Sequence, residues 1–417
     1  MTLTTKGKLM AKDRNSGEPA RFRRAGRIAD IEISLIVRIS ESASALRAAG
    51  RDVVSLGTGE PDFPTPEHVV SAAHAAAQAG ETRYPPTRGT DRLRQAIAGL
   101  EGVAPEEVIV STGAKQALSN LMLASLNPGD EVICPAPFWT SYRDIVHLAG
   151  GELVEVICPA GQGFKIRPEQ LARAITPATR WLLLNSPANP SGAVYSKDEL
   201  AALGEVLRDN PHVWIASDEI YRHIAYTDCP SLRAALPDLA DRMVTINGVS
   251  KAYAMTGWRI GWAVGPAAAI DAMAAVQGQT TSGASSVSQA AALAALTGPQ
   301  DLLAVRRDAF RARRDLVVEA LSADPLLECT RPEGAFYVFA SCKGALGLRR
   351  PSGGTIRDDA DFCRHVLEAE GLALVPGRAF AMPGYFRLSY AYSQAELIDG
   401  LARLSRATAA LGRQAES

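Results

Sequence analysis

The sequence predicts an α/β fold, a parallel sheet covered by helices and followed by a separate α+β domain. Three observations carry that expectation. Short β-branched runs alternate with helical stretches through the middle of the chain, the pattern of repeated βα units. Clusters of Gly, Pro, Asn and Asp separate the runs. After about residue 300 the alternation stops, and a long Arg-rich helical stretch is followed by two strand-like runs.

In chain order, Thr65 followed by Pro66 reads as N-cap and first helical residue, and Gly80 closes that Ala-rich helix. Strand candidates are Val108–Val110, Glu131–Cys134, Leu182–Leu184, Val213–Ala216, Met243–Ile246 and Ile260–Val264. Lys115–Leu126 is apolar at helical spacing and stops at Asn127-Pro128-Gly129-Asp130. Ser196 and Glu199 have capping-box spacing, which opens a helix running to about Arg208. Beyond residue 300 come a helix over Leu302–Leu321, strands over Ala335–Phe339 and Phe386–Tyr390, and a helix over Asp359–Glu370; the Gly/Arg-rich Lys343–Arg357 reads as a surface loop. The expected division is a basic arm over 1–27, a large domain over 66–300, and a small domain built from 28–65 and 301–417.

Composition sets the class. The 417 residues carry 44 Lys plus Arg against 45 Asp plus Glu, a net charge of −1, so no global attraction to nucleic acid or an anionic membrane is expected. A hydrophobic fraction of 47% supplies ample core, yet the densest apolar runs, such as Trp181–Leu184, are strand-sized rather than membrane-spanning. Six scattered cysteines argue against zinc knuckles, redox CxxC chemistry and a disulfide framework, and a reducing cytoplasm fits best. No metal site is read.

Five segments carry chemistry. Lys251, in Asn247-Gly-Val-Ser-Lys251-Ala-Tyr-Ala-Met-Thr-Gly-Trp-Arg259-Ile-Gly-Trp262, follows a buried-looking strand with no acid nearby. Burial depresses a lysine pKa and readies the amine for Schiff-base chemistry, although a lysine snorkelling beside a core strand has the same pattern. Arg259 and Ser250 could bind a dianion. Asp218 of Ser217-Asp-Glu-Ile-Tyr221 stands just past a strand end, where open α/β sheets bind ligands, and could hold a protonated pyridine nitrogen or simply cap a helix. Ser111-Thr-Gly113-Ala114-Lys115 is a strand-to-helix turn able to cradle phosphate, but neither a Walker loop nor GxGxxG is present. Asn189, in Asn185-Ser-Pro-Ala-Asn-Pro-Ser-Gly192, could aim a donor at a ligand or shape a turn. Arg387, in Phe386-Arg-Leu-Ser-Tyr390, is an arginine inside an alternating strand, which calls for either a substrate carboxylate or an internal salt bridge.

Together, in this order and spacing, these segments resemble the fold-type I pyridoxal-phosphate aminotransferases of class I/II, in particular the bacterial aspartate aminotransferase subgroup, from about Ile28 to Ala402. The resemblance implies a three-layer α/β/α large domain with a mostly parallel seven-stranded sheet, a smaller α+β domain, and pyridoxal 5′-phosphate as cofactor. It further implies that Lys251 carries the cofactor as a Schiff base, that Asp218 pairs with its ring nitrogen, that Tyr221 and Asn189 contact its ring hydroxyl, and that Trp139 stacks on its face. Gly113, Ala114, Lys115, Ser250 and Arg259 would surround the phosphate, with Tyr84 reaching in from a partner subunit of a homodimer. Arg387, helped by the backbone of Gly59, would clamp the substrate α-carboxylate.

Lys115 and Ser34 match positions that face the distal carboxylate of a dicarboxylic substrate, so the expected reaction is transfer of the amino group of aspartate to 2-oxoglutarate. Aromatic donors or prephenate are the alternative on the same residues. A C–S lyase, a decarboxylase or a non-catalytic sensor are further rivals. Two departures from the family pattern are a shorter connection from Ala98 to Pro105, where a helix is expected to end early, and a longer loop near Lys343–Arg357.

Overall fold

The computed structural model describes residues 22–29 and 31–412. Most of the basic arm read over 1–27 lies outside them. At the centre is one sheet of seven strands: β1 (Val108–Ser111), β2 (Glu131–Ala136), β3 (Glu152–Ile157), β4 (Thr179–Asn185), β5 (Trp214–Asp218), β6 (Met243–Gly248) and β7 (Gly261–Val264). Their order is β1-β7-β6-β5-β4-β2-β3. Only β7 runs against its neighbours β1 and β6.

Adjacent strand residues point to opposite faces, and both faces are covered. Leu183, Ala216 and Val244 pack under helices α4 (Ala114–Ser125), α5 (Ser141–Leu148) and α7 (Ala267–Thr280). Their neighbours Leu182, Ile215 and Met243 pack under α6 (Lys197–Arg208). Burial on both sides is why these strands read as continuous apolar runs. The edge strand β3 is absent from the sequence reading because it is Glu-Leu-Val-Glu-Val-Ile, with Glu152 and Ile157 exposed.

The remainder gathers around an antiparallel sheet of β8 (Tyr337–Ser341) and β9 (Tyr385–Ser389), flanked by the short strands Glu328–Cys329 and Val375–Pro376. Helices α8 (Asp301–Ser322), α9 (Asp359–Glu370) and α10 (Gln394–Ala409) cover it, with Phe310, Phe362 and Leu401 in a core that also takes Leu56 from the N-terminal part. Val54–Ser55 pairs in parallel with Leu372–Ala373, which ties the N-terminal part to the C-terminal third of the chain. Among the described residues no helix is long and apolar enough to cross a membrane.

Local signals hold at the start of α6 and are corrected at α2 and at β8, which begins at Tyr337 rather than Ala335. The Ser196 hydroxyl accepts from Glu199 N while the Glu199 carboxylate accepts from Ser196 N, the reciprocal box expected at the start of α6. Helix α2 (Glu67–Gln78) instead has Pro66 at its N-cap position. Thr65 does not cap it: its hydroxyl donates to Ala254 O at 2.8 Å and accepts from Trp258 Nε1 at 3.0 Å, so tertiary partners take up its hydrogen bonds. Helix α3 (Asp91–Glu101) stops at Gly102 in the left-handed region, φ 67°. The loop after Lys343 is mostly exposed but is pinned by buried Ala345 and Ile356.

One glycine sets how closely the layers meet. Gly261 opens β7 opposite both Ser111 and Gly248, and a Cβ on it would overlap the backbone nitrogen of Ala114. Gly261→Ala is expected to lower stability by about 1–3 kcal/mol, the usual cost of overpacking, read as a lower urea midpoint at fixed protein concentration. Gly257→Ala, with open space around its Cβ, should leave the midpoint unchanged. Equal midpoints for both variants would show that the β7–α4 contact yields freely.

Candidate active site

Strands β1, β2, β4, β5 and β6 end, and antiparallel β7 begins, along one edge of the sheet, the position at which open α/β sheets bind ligands. A cavity of about 300 Å³ opens there. Lys251, Asp218, Tyr221, Asn189, Ala114, Lys115, Trp139, Ser250 and Arg259 line it from the large sheet's loops, and Gly59 and Arg387 from the other side.

Three expected residues do not line it. Gly113 lies behind Arg259, and a Cβ on it would stand 2.5 Å from Arg259 Nη2. Tyr84 is 94% exposed on its own chain. Ser34 is the N-cap residue of α1 (Leu35–Ala48), and it is Ile36 that reaches the cavity. Helical rotation of about 100° per residue turns positions 34 and 36 in different directions.

Lys251 Nζ donates to Gly59 O at 2.8 Å. Burial lowers its pKa to about 8, with the nearby charge of Glu60 opposing and those of Arg259 and Arg387 adding to the shift. Asp218, at the end of β5, accepts from the buried Tyr142 hydroxyl at 2.6 Å and from Ile220 N at 3.2 Å. Burial raises its pKa, while the Tyr142 and Ile220 hydrogen bonds and the Lys251 charge favour the carboxylate. Asn185 Nδ2 donates to Asp218 O and Asn185 Oδ1 accepts from Asn189 N, so one side chain ties the end of β4 to the end of β5 and to the Asn189 turn.

Arg387 resolves the alternative left by the sequence. It is 2% exposed, and among the described residues it forms no salt bridge. Its Nη1 donates to Asn189 Oδ1 at 2.9 Å and its Nη2 to Gly57 O, and its Nε has no partner among the described residues. Across the cavity floor, Lys115 Nζ lies 4.8 Å from the Trp139 ring centroid. Burial, together with the neighbouring charge of Arg259, lowers the Lys115 pKa, with Asp144 opposing. Arg259 has φ 58°, and among the described residues its one hydrogen-bond acceptor is Thr256 O.

These residues fit pyridoxal phosphate. Two cations without carboxylate partners among the described residues, Lys115 and Arg259, stand at the amide-rich start of α4, where a phosphate dianion is favoured. A buried carboxylate, an amine of lowered pKa and an indole suited to a planar ring complete the donor set.

Sequence reasoning missed Tyr142, Asn185 and Tyr337, all of which line the cavity. The signals were available for two of them. Tyr142 lies one helical turn beyond Trp139, and Asn185 opens the Asn189 turn. Tyr337, inside a run that reads as plain core strand, carried none.

Comparison with known proteins agrees with this geometry. Residues 51–404 match the family described as Aminotransferase class I and II. An aspartate aminotransferase of Rhizobium meliloti (strain 1021) is 52% identical over 396 residues, covering 93% of this chain and 97% of that protein. An aspartate/prephenate aminotransferase of Cereibacter sphaeroides is 48% identical over 92% of this chain and 98% of its own length. The crystal structure of the Rhizobium meliloti aspartate aminotransferase superposes with a TM-score of 0.91 at 51% identity, over 94% of this chain and all of that one. The Thermus thermophilus aspartate aminotransferase solved with maleate gives 0.86 at 42% identity, over 93% of this chain and 100% of that one. The chain therefore belongs to the class I and II aminotransferases, enzymes that work with pyridoxal 5′-phosphate.

Proposed function

We propose that the enzyme moves the amino group of L-aspartate to 2-oxoglutarate, giving oxaloacetate and L-glutamate in a ping-pong cycle. The observation that carries this reading is the pair of cationic groups on the cavity, Arg387 without a carboxylate partner and Lys115 beside Trp139, which suits a substrate with two carboxylates. The relatives named as aspartate aminotransferases, and the solved one holding the dicarboxylate maleate, support it.

Pyridoxal phosphate, when bound, supplies the electron-withdrawing ring that lets an α-proton leave. Lys251 would hold it through Nζ, Asp218 would face its ring nitrogen, Tyr221 and Asn189 its ring hydroxyl, and Trp139 its face. Ala114, Lys115, Ser250 and Arg259, with Gly113 keeping the turn tight, would hold its phosphate. Arg387 orients the substrate by its α-carboxylate, with the Gly59 backbone alongside. The Lys251 amine then takes the α-proton at Nζ and returns it, a role that its lowered pKa suits near neutral pH. Lys115 meets the distal carboxylate. Ser34 has no place in this reading, since Ile36 faces the cavity.

The enzyme acts in the cytoplasm as a homodimer in which Tyr84 of one chain completes the site of the other. The exposure of this aromatic ring supports that arrangement.

Three outcomes are expected. Mixed with single amino acids and no acceptor, the holoenzyme should convert aspartate and glutamate rapidly, and Lys115→Ala should lose at least about 10-fold in kcat/KM for aspartate, the scale of one charge-assisted hydrogen bond, with alanine changed far less. Equal losses would remove the distal-carboxylate role, and a response confined to aromatic donors would favour the alternative substrates. In the cofactor-free protein, acylation of Lys251 should rise with pH through a midpoint near 8, because the neutral amine reacts and burial depresses its pKa from 10.5; a midpoint near 10.5 would contradict the poised amine. Finally, mixing Tyr84→Ala chains with Lys251→Ala chains should restore activity above that of either alone, since each hybrid dimer regains one intact site. No recovery would place each site within a single chain.

A further inference from the structure

We infer that Tyr337 is a positioning residue of this site, its hydroxyl fixing Tyr221 and its ring supporting the charge of Arg387. Tyr337 lies on β8, 1% exposed, and borders the cavity. In the antiparallel pairing of β8 with β9, Phe339 stands opposite Arg387 and Tyr337 opposite Ser389, so Tyr337 is the diagonal neighbour of Arg387 on the same face. The guanidinium carbon of Arg387 lies 4.4 Å from the Tyr337 ring centroid and 4.9 Å from that of Phe380. A buried guanidinium needs compensation for lost water. Here no carboxylate supplies it, and the two ring faces, with Asn189 Oδ1 and Gly57 O, stand in its place. The cation is thereby held ready without a fixed anion that a substrate carboxylate would have to displace.

The other end of Tyr337 does separate work. Its hydroxyl lies 2.9 Å from that of Tyr221, and the two rings meet edge to face at 5.8 Å. The same oxygen abuts Gly59, where a Cβ would overlap it, and Gly59 O is the acceptor for Lys251 Nζ. One side chain thus spaces the phenol of Tyr221, the strap that holds the lysine, and the buried arginine. Support of this kind determines how sharply the groups that touch a ligand are placed.

The inference rests on the aminotransferase reading only for its kinetic assay. In the holoenzyme, Tyr337→Leu removes ring and hydroxyl and should raise KM for aspartate by about 10-fold or more, the scale of a desolvated cation–π contact. Tyr337→Phe keeps the ring, so KM should return to within about twofold of wild type while kcat falls about 5-fold, the scale of one hydrogen bond. A leucine variant with wild-type KM would overturn the role of the ring, and a phenylalanine variant with wild-type kcat that of the hydroxyl. Where the leucine protein fails to fold, Tyr337→Met, closer in volume, takes its place. Maleate binding to the holoenzyme, which requires no turnover, reads the ring effect independently. A wild type that turned over no amino donor would refute the proposed reaction, whereas equal maleate affinity in wild type and the leucine variant would refute the role of Tyr337.

Discussion

The register of β7 is the constraint on which the site depends. Because this strand runs against its neighbours, it begins where they end, and its first residue, Gly261, stands beside Ser111 on one side and Gly248 on the other. Two loops distant in sequence are brought to one edge: the turn into α4 with Ala114 and Lys115, and the β6–β7 connection that carries Ser250, Lys251 and, two residues before the strand, Arg259. The parallel pairings Asn185↔Asp218 and Asp218↔Ile246 extend the same edge to the acid of β5. A side chain at Gly261 would push the α4 amides away, so the closeness of the cradle follows from a missing Cβ.

The charges gathered at that edge are only partly compensated within the chain. Burial acts on each in the direction of neutrality, lowering Lys251 and Arg387 and raising Asp218. Hydrogen bonds from Tyr142 and Ile220 offset part of the cost at Asp218, and aromatic faces part of the cost at Arg387. Contrast the structural network of Arg222, which bonds the carboxylates of both Glu101 and Glu219 and is complete without any ligand. Arg222 lies away from the cavity, whereas Arg387, Lys115 and Arg259 line it.

Much of this was legible in the linear chain because local physics wrote it there. Strands buried on both faces must be apolar throughout, so β4, β5 and β6 could be read directly, and the Ser196 box announced its own helix. The edge strand β3 escaped because one side faces water and admits glutamates. Thr65 misled because a hydroxyl ahead of a helix looks like a cap, and only the loop around Ala254 and Trp258 shows what it bonds. Ser34 stands at the N-cap of α1 while Ile36 lines the cavity, since a residue's place in a motif does not fix which way a helix start turns it.

By itself the sequence determined the α/β class, the family, and the residue types that a dianion, a ring and a carboxylate require, because those depend on composition and spacing along the chain. Only the tertiary structure decided whether Arg387 met an internal acid, that Tyr142 stands on Asp218, and that Tyr337 joins Tyr221, Gly59 and Arg387. Each of these is a contact between residues from 50 to 330 positions apart, and whether a buried polar group has a partner depends on such contacts, which no local pattern encodes.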